Sequence, residues 1–111
     1  LGDVYKRQEL EIIGNRTIVP LALIFNELIS NSLKHAFENA ENGEIKVWIR
    51  VFDKDNFTIK YEDNGEWVKK TKESSFGLEL INTFTEQLDG EMNRISDKNG
   101  TAYTFKLKNI E

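Results

Sequence analysis

Apolar residues recur along this chain with two different periods, and the periods divide it into elements. Leu21, Ile24, Phe25, Leu28, Ile29 and Ala36 fall on one helical stripe, which predicts an amphipathic helix over residues 21–38. Pro20 stands just before it, where a fixed φ and a missing N–H suit the first helical position. Ile45, Val47, Ile49 and Val51 then alternate with Lys46, Trp48, Arg50 and Phe52, and Phe57, Ile59 and Tyr61 alternate again beyond a polar loop at residues 53–56. That pattern predicts two strands joined as a hairpin. Leu78, Ile81, Phe84 and Leu88 return to the helical spacing, in a helix expected to start near Ser74 or Ser75 and to end at Gly90. A second hairpin follows, residues 92–96 and 101–107 around Asp97, Lys98, Asn99 and Gly100, with Tyr103, Phe105 and Leu107 on one face. Residues 9–13 are a candidate short strand turning at Gly14 and Asn15, and residues 65–76 are a polar connection long enough for a lid. The order strand, helix, hairpin, lid, helix, hairpin predicts an α+β two-layer sandwich: a mixed, mostly antiparallel sheet with both helices on one face.

Length and composition narrow the picture. A chain of 111 residues fits one domain; residues 1–8 show neither period and are read as a fragment boundary or disordered lead-in, leaving residues 9–111 as the domain. The formal charge of -4 argues against a nucleic-acid-binding surface, which needs clustered Lys and Arg. No cysteine is present, which removes disulfides and thiolate metal sites. The longest apolar run, residues 18–25, is interrupted by Pro20 and is far short of the roughly 20 residues that cross a bilayer. A cytoplasmic domain without direct membrane contact is expected, with any anchor elsewhere in a parent protein.

Several polar residues could carry chemistry. Glu27, Asn31 and Lys34 share a helix face, so a carboxylate, an amide oxygen and an ammonium could together meet a hydrated cation and its phosphates. A solvated face is the alternative. Asp63, Asn64 and Gly65 end a strand, where the acid could accept from an exocyclic amine; the same triplet is also ordinary turn chemistry. Gly77, at the expected helix start, would offer free amides to phosphate oxygens, or simply close a loop. Gly100 and Thr101 read as a hairpin turn when taken alone. His35, the only histidine, lies within the site helix and is read as structural or as supporting the site residues, not as a phosphate acceptor. Ser-His-Asp sets, His/Cys metal clusters and phosphate loops of the Gly-Lys-Ser type are missing from the sequence.

Taken in order, NELISNSLKHAF over residues 26–37, Asp63-Asn64-Gly65, SFGLELI over residues 75–81 and Gly100-Thr101 resemble the asparagine box and the three glycine boxes of histidine kinase ATP-binding domains. The ordered matches cover residues 18–107. The resemblance implies the Bergerat-type ATP-binding fold, shared with DNA gyrase, Hsp-type chaperones and mismatch repair proteins, and ATP with Mg2+ as ligands. It implies that Asn31 coordinates magnesium, with Glu27 and Lys34 near the phosphates and Glu27 and Asn31 as the catalytic pair. Asp63 would bind the adenine amino group, Gly65 would let the base lie on the backbone, Gly77 would contribute to the phosphate cradle at the helix start, Leu78 beside it would also contact the nucleotide, and Thr101 would support Asp63. Lys69, Lys70 and Lys72 could add charge from the lid. Trp67 stands where the family usually has a second glycine, and Ser75 where a glycine is common.

The resemblance therefore implies a sensor histidine kinase's ATP-binding domain. Its partners would be a histidine-bearing dimerisation domain and, indirectly, a response regulator. A nucleotide-binding regulatory module without phosphotransfer, and an ATP hydrolase using Glu27 as base, are the rival readings.

Overall fold

A computed structural model describes residues 14–38, 41–67 and 72–110. Residues 1–8, the candidate strand at residues 9–13, and Lys69 and Lys70 lie outside the described residues. Helix α1 (Asn15–Asn31) runs into a π-helical turn (Ser32–Ala36). Strands β1 (Ile45–Val51) and β2 (Asn56–Asp63) form the first hairpin, helix α2 (Lys72–Gln87) crosses back, and β3 (Glu91–Asp97) and β4 (Gly100–Lys108) form the second. The four strands lie in the order β1-β2-β4-β3, each pair antiparallel, so the described sheet is wholly antiparallel.

Alternation decides which strand faces make the core. Phe57, Ile59 and Tyr61 of β2 and Tyr103, Phe105 and Leu107 of β4 point to the helices, where Leu21, Ile24, Leu28, Ile81 and Leu88 meet them. The two central strands carry most of the bulk. Tyr61 meets Tyr103 edge-on at 6.0 Å between ring centres, and each fully buried large side chain contributes about 1.5–3 kcal/mol. At the edge, Val47 and Ile49 stand opposite Tyr61 and Ile59 yet stay 44% and 36% exposed, because the helices do not reach over β1.

Both helix starts come earlier than expected. Helix α1 begins at Asn15 and holds Pro20 inside it, with the Thr17 and Ile18 N–H groups both on the Gly14 carbonyl at 3.0 Å. A distant contact fixes this start: the buried Thr17 hydroxyl donates to the Ile110 carbonyl at 2.9 Å, and the Gly14 N–H donates to Asn109 Oδ1 at 2.7 Å. Helix α2 begins at Lys72, so Ser74 is a buried first-turn residue and Gly77 lies more than a turn inside. At the far end Asp89, not Gly90, takes the left-handed position at φ 47. The Asp89 and Gly90 N–H groups then close on the Glu86 and Thr85 carbonyls at 3.0 Å, a Schellman end.

Candidate functional site

At the far end of α1 the helix widens: the Phe37 N–H reaches back five residues to the Ser32 carbonyl at 2.9 Å. Such π turns recur at functional sites because they re-aim the side chains around them. Ser32 continues the buried stripe of Leu21, Ile24 and Leu28, a polar group where the pattern calls for an apolar one. Its hydroxyl donates to Asp63 Oδ2 at 2.8 Å and lies 2.8 Å from the Tyr61 hydroxyl. The Tyr61 hydroxyl donates in turn toward the Leu28 carbonyl at 3.2 Å. Burial holds the Tyr61 phenol up at about 12, only partly opposed by the Ser32 hydrogen bond.

Asp63 ends β2 beneath this turn and is 6% exposed. Its Oδ1 accepts the N–H groups of Gly65 and Thr101, both at 3.2 Å. Asp63, Gly65 and Thr101 therefore converge as expected, and Ser32 and Tyr61 join them. The Thr101 hydroxyl itself pairs with Ser96 Oγ at 2.9 Å, so Thr101 serves Asp63 through its backbone. Asn64 makes this more than a turn: its Oδ1 accepts the Glu44 N–H at 2.7 Å and its Nδ2 donates to the Asn42 carbonyl at 2.9 Å, clamping the strand end to the segment before β1.

Two glycines allow close approach at the site, Gly65 against backbone and Gly77 against side chains. A Cβ on Gly65 would stand 2.2 Å from the Ala36 carbonyl oxygen, so the strand end packs directly against the π turn. A Cβ on Gly77 would stand 3.0 Å from Glu27 Oε2 and 3.2 Å from Asn31 Oδ1. Gly77 thus brings α2 up to the Glu27 and Asn31 side chains. Its N–H is not one of the four free amides at the helix start, which corrects the expectation drawn from a later start. Leu78, half-buried, packs against the hydrophobic core. Glu27 is half-buried, Asn31 buried and Lys34 exposed.

Asn31 Nδ2, His35 Nε2 and Trp67 Nε1 are buried with no hydrogen-bond partner among the described residues. His35 lies against Trp67, with ring centres 5.3 Å apart. The Arg94 guanidinium sits 4.6 Å from the centre of the same indole, and its Nε donates to the Tyr103 hydroxyl at 3.1 Å. Sequence reasoning missed Ser32, Tyr61 and Arg94. The available signal was their parity, since each polar group falls on the core-facing side of its element. A larger hollow of about 380 Å3 opens at the other end of the sheet, beside Phe52, Asn56 and Lys108, away from these groups.

The sequence model described as histidine kinase-, DNA gyrase B-, and HSP90-like ATPase matches residues 17–110. The chain belongs to that ATPase family. Membership implies that this ATPase domain binds ATP. It is 30% identical over 102 residues to the anti-sigma F factor of Clostridium novyi (strain NT), covering 78% of this chain and 68% of that protein. It is 35% identical over 82 residues to the serine-protein kinase RsbW of Listeria innocua serovar 6a, covering 70% of this chain and 46% of that one. Among solved structures, the histidine kinase domain of the Erythrobacter litoralis EL346 blue-light activated kinase superposes with a TM-score of 0.71 at 20% identity, over 85% of this chain and 45% of that one. That likeness shows the fold. The domain spans under half of RsbW and of the solved kinase chain. No helix among the described residues is long and apolar enough to cross a membrane.

Proposed function

We propose that the domain binds Mg-ATP between α1, α2 and the Asp63 strand end, and presents the γ-phosphate to a histidine on a separate dimerisation domain of its parent kinase, in the cytoplasm. A response regulator would then take the phosphate. Asp63 carries the nucleotide reading. A carboxylate offers about four acceptor positions, and the donors of Ser32, Gly65 and Thr101 take three of them. The one left suits a single N–H donor, such as the amino group of adenine.

Magnesium fits the residues at the other end of the site. Among the described residues no group of three or more His, Cys, Asp or Glu could hold a metal alone. Glu27 and Asn31 do offer hard oxygens side by side, and magnesium commonly takes one or two such ligands and completes its shell with waters and phosphate oxygens. Asn31 would ligate the ion, Glu27 would accept from its bound water, and Lys34 would offset phosphate charge. Gly77 leaves room beside them, and Leu78 fixes α2 on the core. The ion supplies charge neutralisation on the phosphates; this chain's residues position the nucleotide, and transfer follows from positioning and electrostatics.

A melt with and without Mg-ATP tests the site. Ligand at about 100 times its dissociation constant adds about 2.7 kcal/mol, a shift of several degrees that Asp63→Asn should lose. No shift in either protein would refute the reading. Asn31→Ala should abolish magnesium-dependent phosphorylation in the full-length parent.

A second reading is favoured by the 30% and 35% identities to an anti-sigma F factor and a serine-protein kinase. In it, the same site phosphorylates a serine of a partner protein or acts by binding a sigma factor. Phosphohistidine is lost in acid and survives alkali, whereas phosphoserine does the reverse, so labelled phosphate on the acceptor separates the two.

A further inference from the structure

Two of the buried polar atoms without partners among the described residues, His35 Nε2 and Trp67 Nε1, belong to one cluster. Its members come from both sides of Asp63. His35 lies three residues beyond Ser32 in the π turn, and Arg94 pairs across the hairpin with Tyr103, two residues from Thr101. Trp67 bridges them, with the His35 ring 5.3 Å from its own and the Arg94 guanidinium 4.6 Å from its ring centre. Arg94 is already held by the Tyr103 hydroxyl, so the slot wall stands independently of the indole.

The indole is an imperfect occupant. It gains ring contact and a cation over its face, but its N–H is buried without an acceptor and the imidazole nitrogen beside it is buried without a mate. A flat ring with several donors and acceptors on its edge would fit the same space and satisfy more of it. A purine has those properties, and aromatic and guanidinium faces stack on bases without regard to sequence.

We propose that the slot between His35 and Arg94 is the slot for the nucleobase, and that Trp67 sets nucleotide affinity by occupying it in the free domain. This rests on the ATP site proposed above. The indole must leave before the base can enter, so its seat is subtracted from the binding free energy. Each tenfold preference of the slot for Trp67 weakens ATP tenfold.

The test uses the whole 111-residue chain. In a Trp48→Phe background, which removes the half-exposed indole on the open sheet face, Trp67 is the one remaining tryptophan. Saturation with Mg-ADP should shift its emission to the red as the ring moves into water. By calorimetry, Trp67→Gly should bind Mg-ADP at least fivefold tighter, and adding Asp63→Asn to it should remove binding. An unchanged or blue-shifted emission, or equal or weaker binding by Trp67→Gly, would overturn the competition while leaving the ATP site standing. Failure of both proteins to bind would overturn the ATP site and the proposal together.

Discussion

Replacing Ser32 by Ala tests whether the polar group on the buried helix stripe organises the site. Ser32 is 1% exposed, and its hydroxyl donates to Asp63 Oδ2 at 2.8 Å while touching the Tyr61 hydroxyl at the same distance. The change removes a single oxygen, so the void is small, and the main loss is a hydrogen bond to a buried charge. Such bonds contribute about 1.5–3 kcal/mol. Tyr61→Phe should cost less, about 1 kcal/mol, because Ser32 keeps its bond to Asp63 and only neutral contacts, with the Ser32 hydroxyl and the Leu28 carbonyl, are lost. Because the three groups share one network, the double variant should cost less than the two single changes added. Urea unfolding monitored by circular dichroism at pH 7 gives all three values. With about 4 °C or more lost per kcal/mol in a domain of this size, Ser32→Ala should melt roughly 6 °C or more below the parent. A loss under about 0.5 kcal/mol, or strict additivity, would refute the idea that Ser32 couples α1 to Asp63.

Alkali should unfold the domain partly through Tyr61. Burial raises this phenol to about 12 from 10.0, so folded protein favours the neutral form; the stability is intact below pH 10 and falls as pH rises from 10 to 12. At 1.36 kcal/mol per pH unit the total is about 2.7 kcal/mol, and Tyr61→Phe should flatten that part of a denaturation profile, leaving the contribution of Tyr103, which burial also raises. Gly65→Ala should cost about 3 kcal/mol or more by overpacking, since the new methyl would meet backbone at Ala36 and not a yielding side chain; a melt within a degree or two of the parent would contradict the close approach. Asp89→Val should destabilise by about 1–2 kcal/mol, because a β-branched residue resists φ 47, whereas Asp89→Gly should not destabilise.

The strand pattern was the most legible part of the sequence. Phe57, Ile59 and Tyr61 and then Tyr103, Phe105 and Leu107 alternate because each strand has one buried face, and both hairpins appear within a residue or two of the expected limits. The start of the first helix was less legible because long-range bonds set it. Pro20 looks like a first helical residue, yet the Thr17 bond to Ile110 draws the helix back by a turn and more. Among the candidate site residues, Asp63, Gly65 and Thr101 meet as their order along the chain suggested, and so do Glu27, Asn31 and Gly77. Tyr61 counted only as part of the apolar alternation of its strand, and Ser32 and Arg94 escaped notice because a polar residue at a core-facing position looks like a defect in the period until its partner elsewhere in the chain is known.

The bonds that tie Gly14 to Asn109 and Thr17 to Ile110 also fix where force can be applied to the domain. Chain arriving at Gly14 and chain leaving Ile110 share one pole, together with the Lys54 and Asp55 loop, whose carbonyls accept from Asn109 at 2.9 Å. Asn31, Asp63 and Gly100 mark the other pole, the length of α1 away, roughly 25 Å at 1.5 Å per residue over its 17 residues. A pull applied at Gly14 and Ile110 would therefore load the Asn109 and Thr17 bonds first, a helix length from the Asp63 end, and would reach the site along α1 and β4.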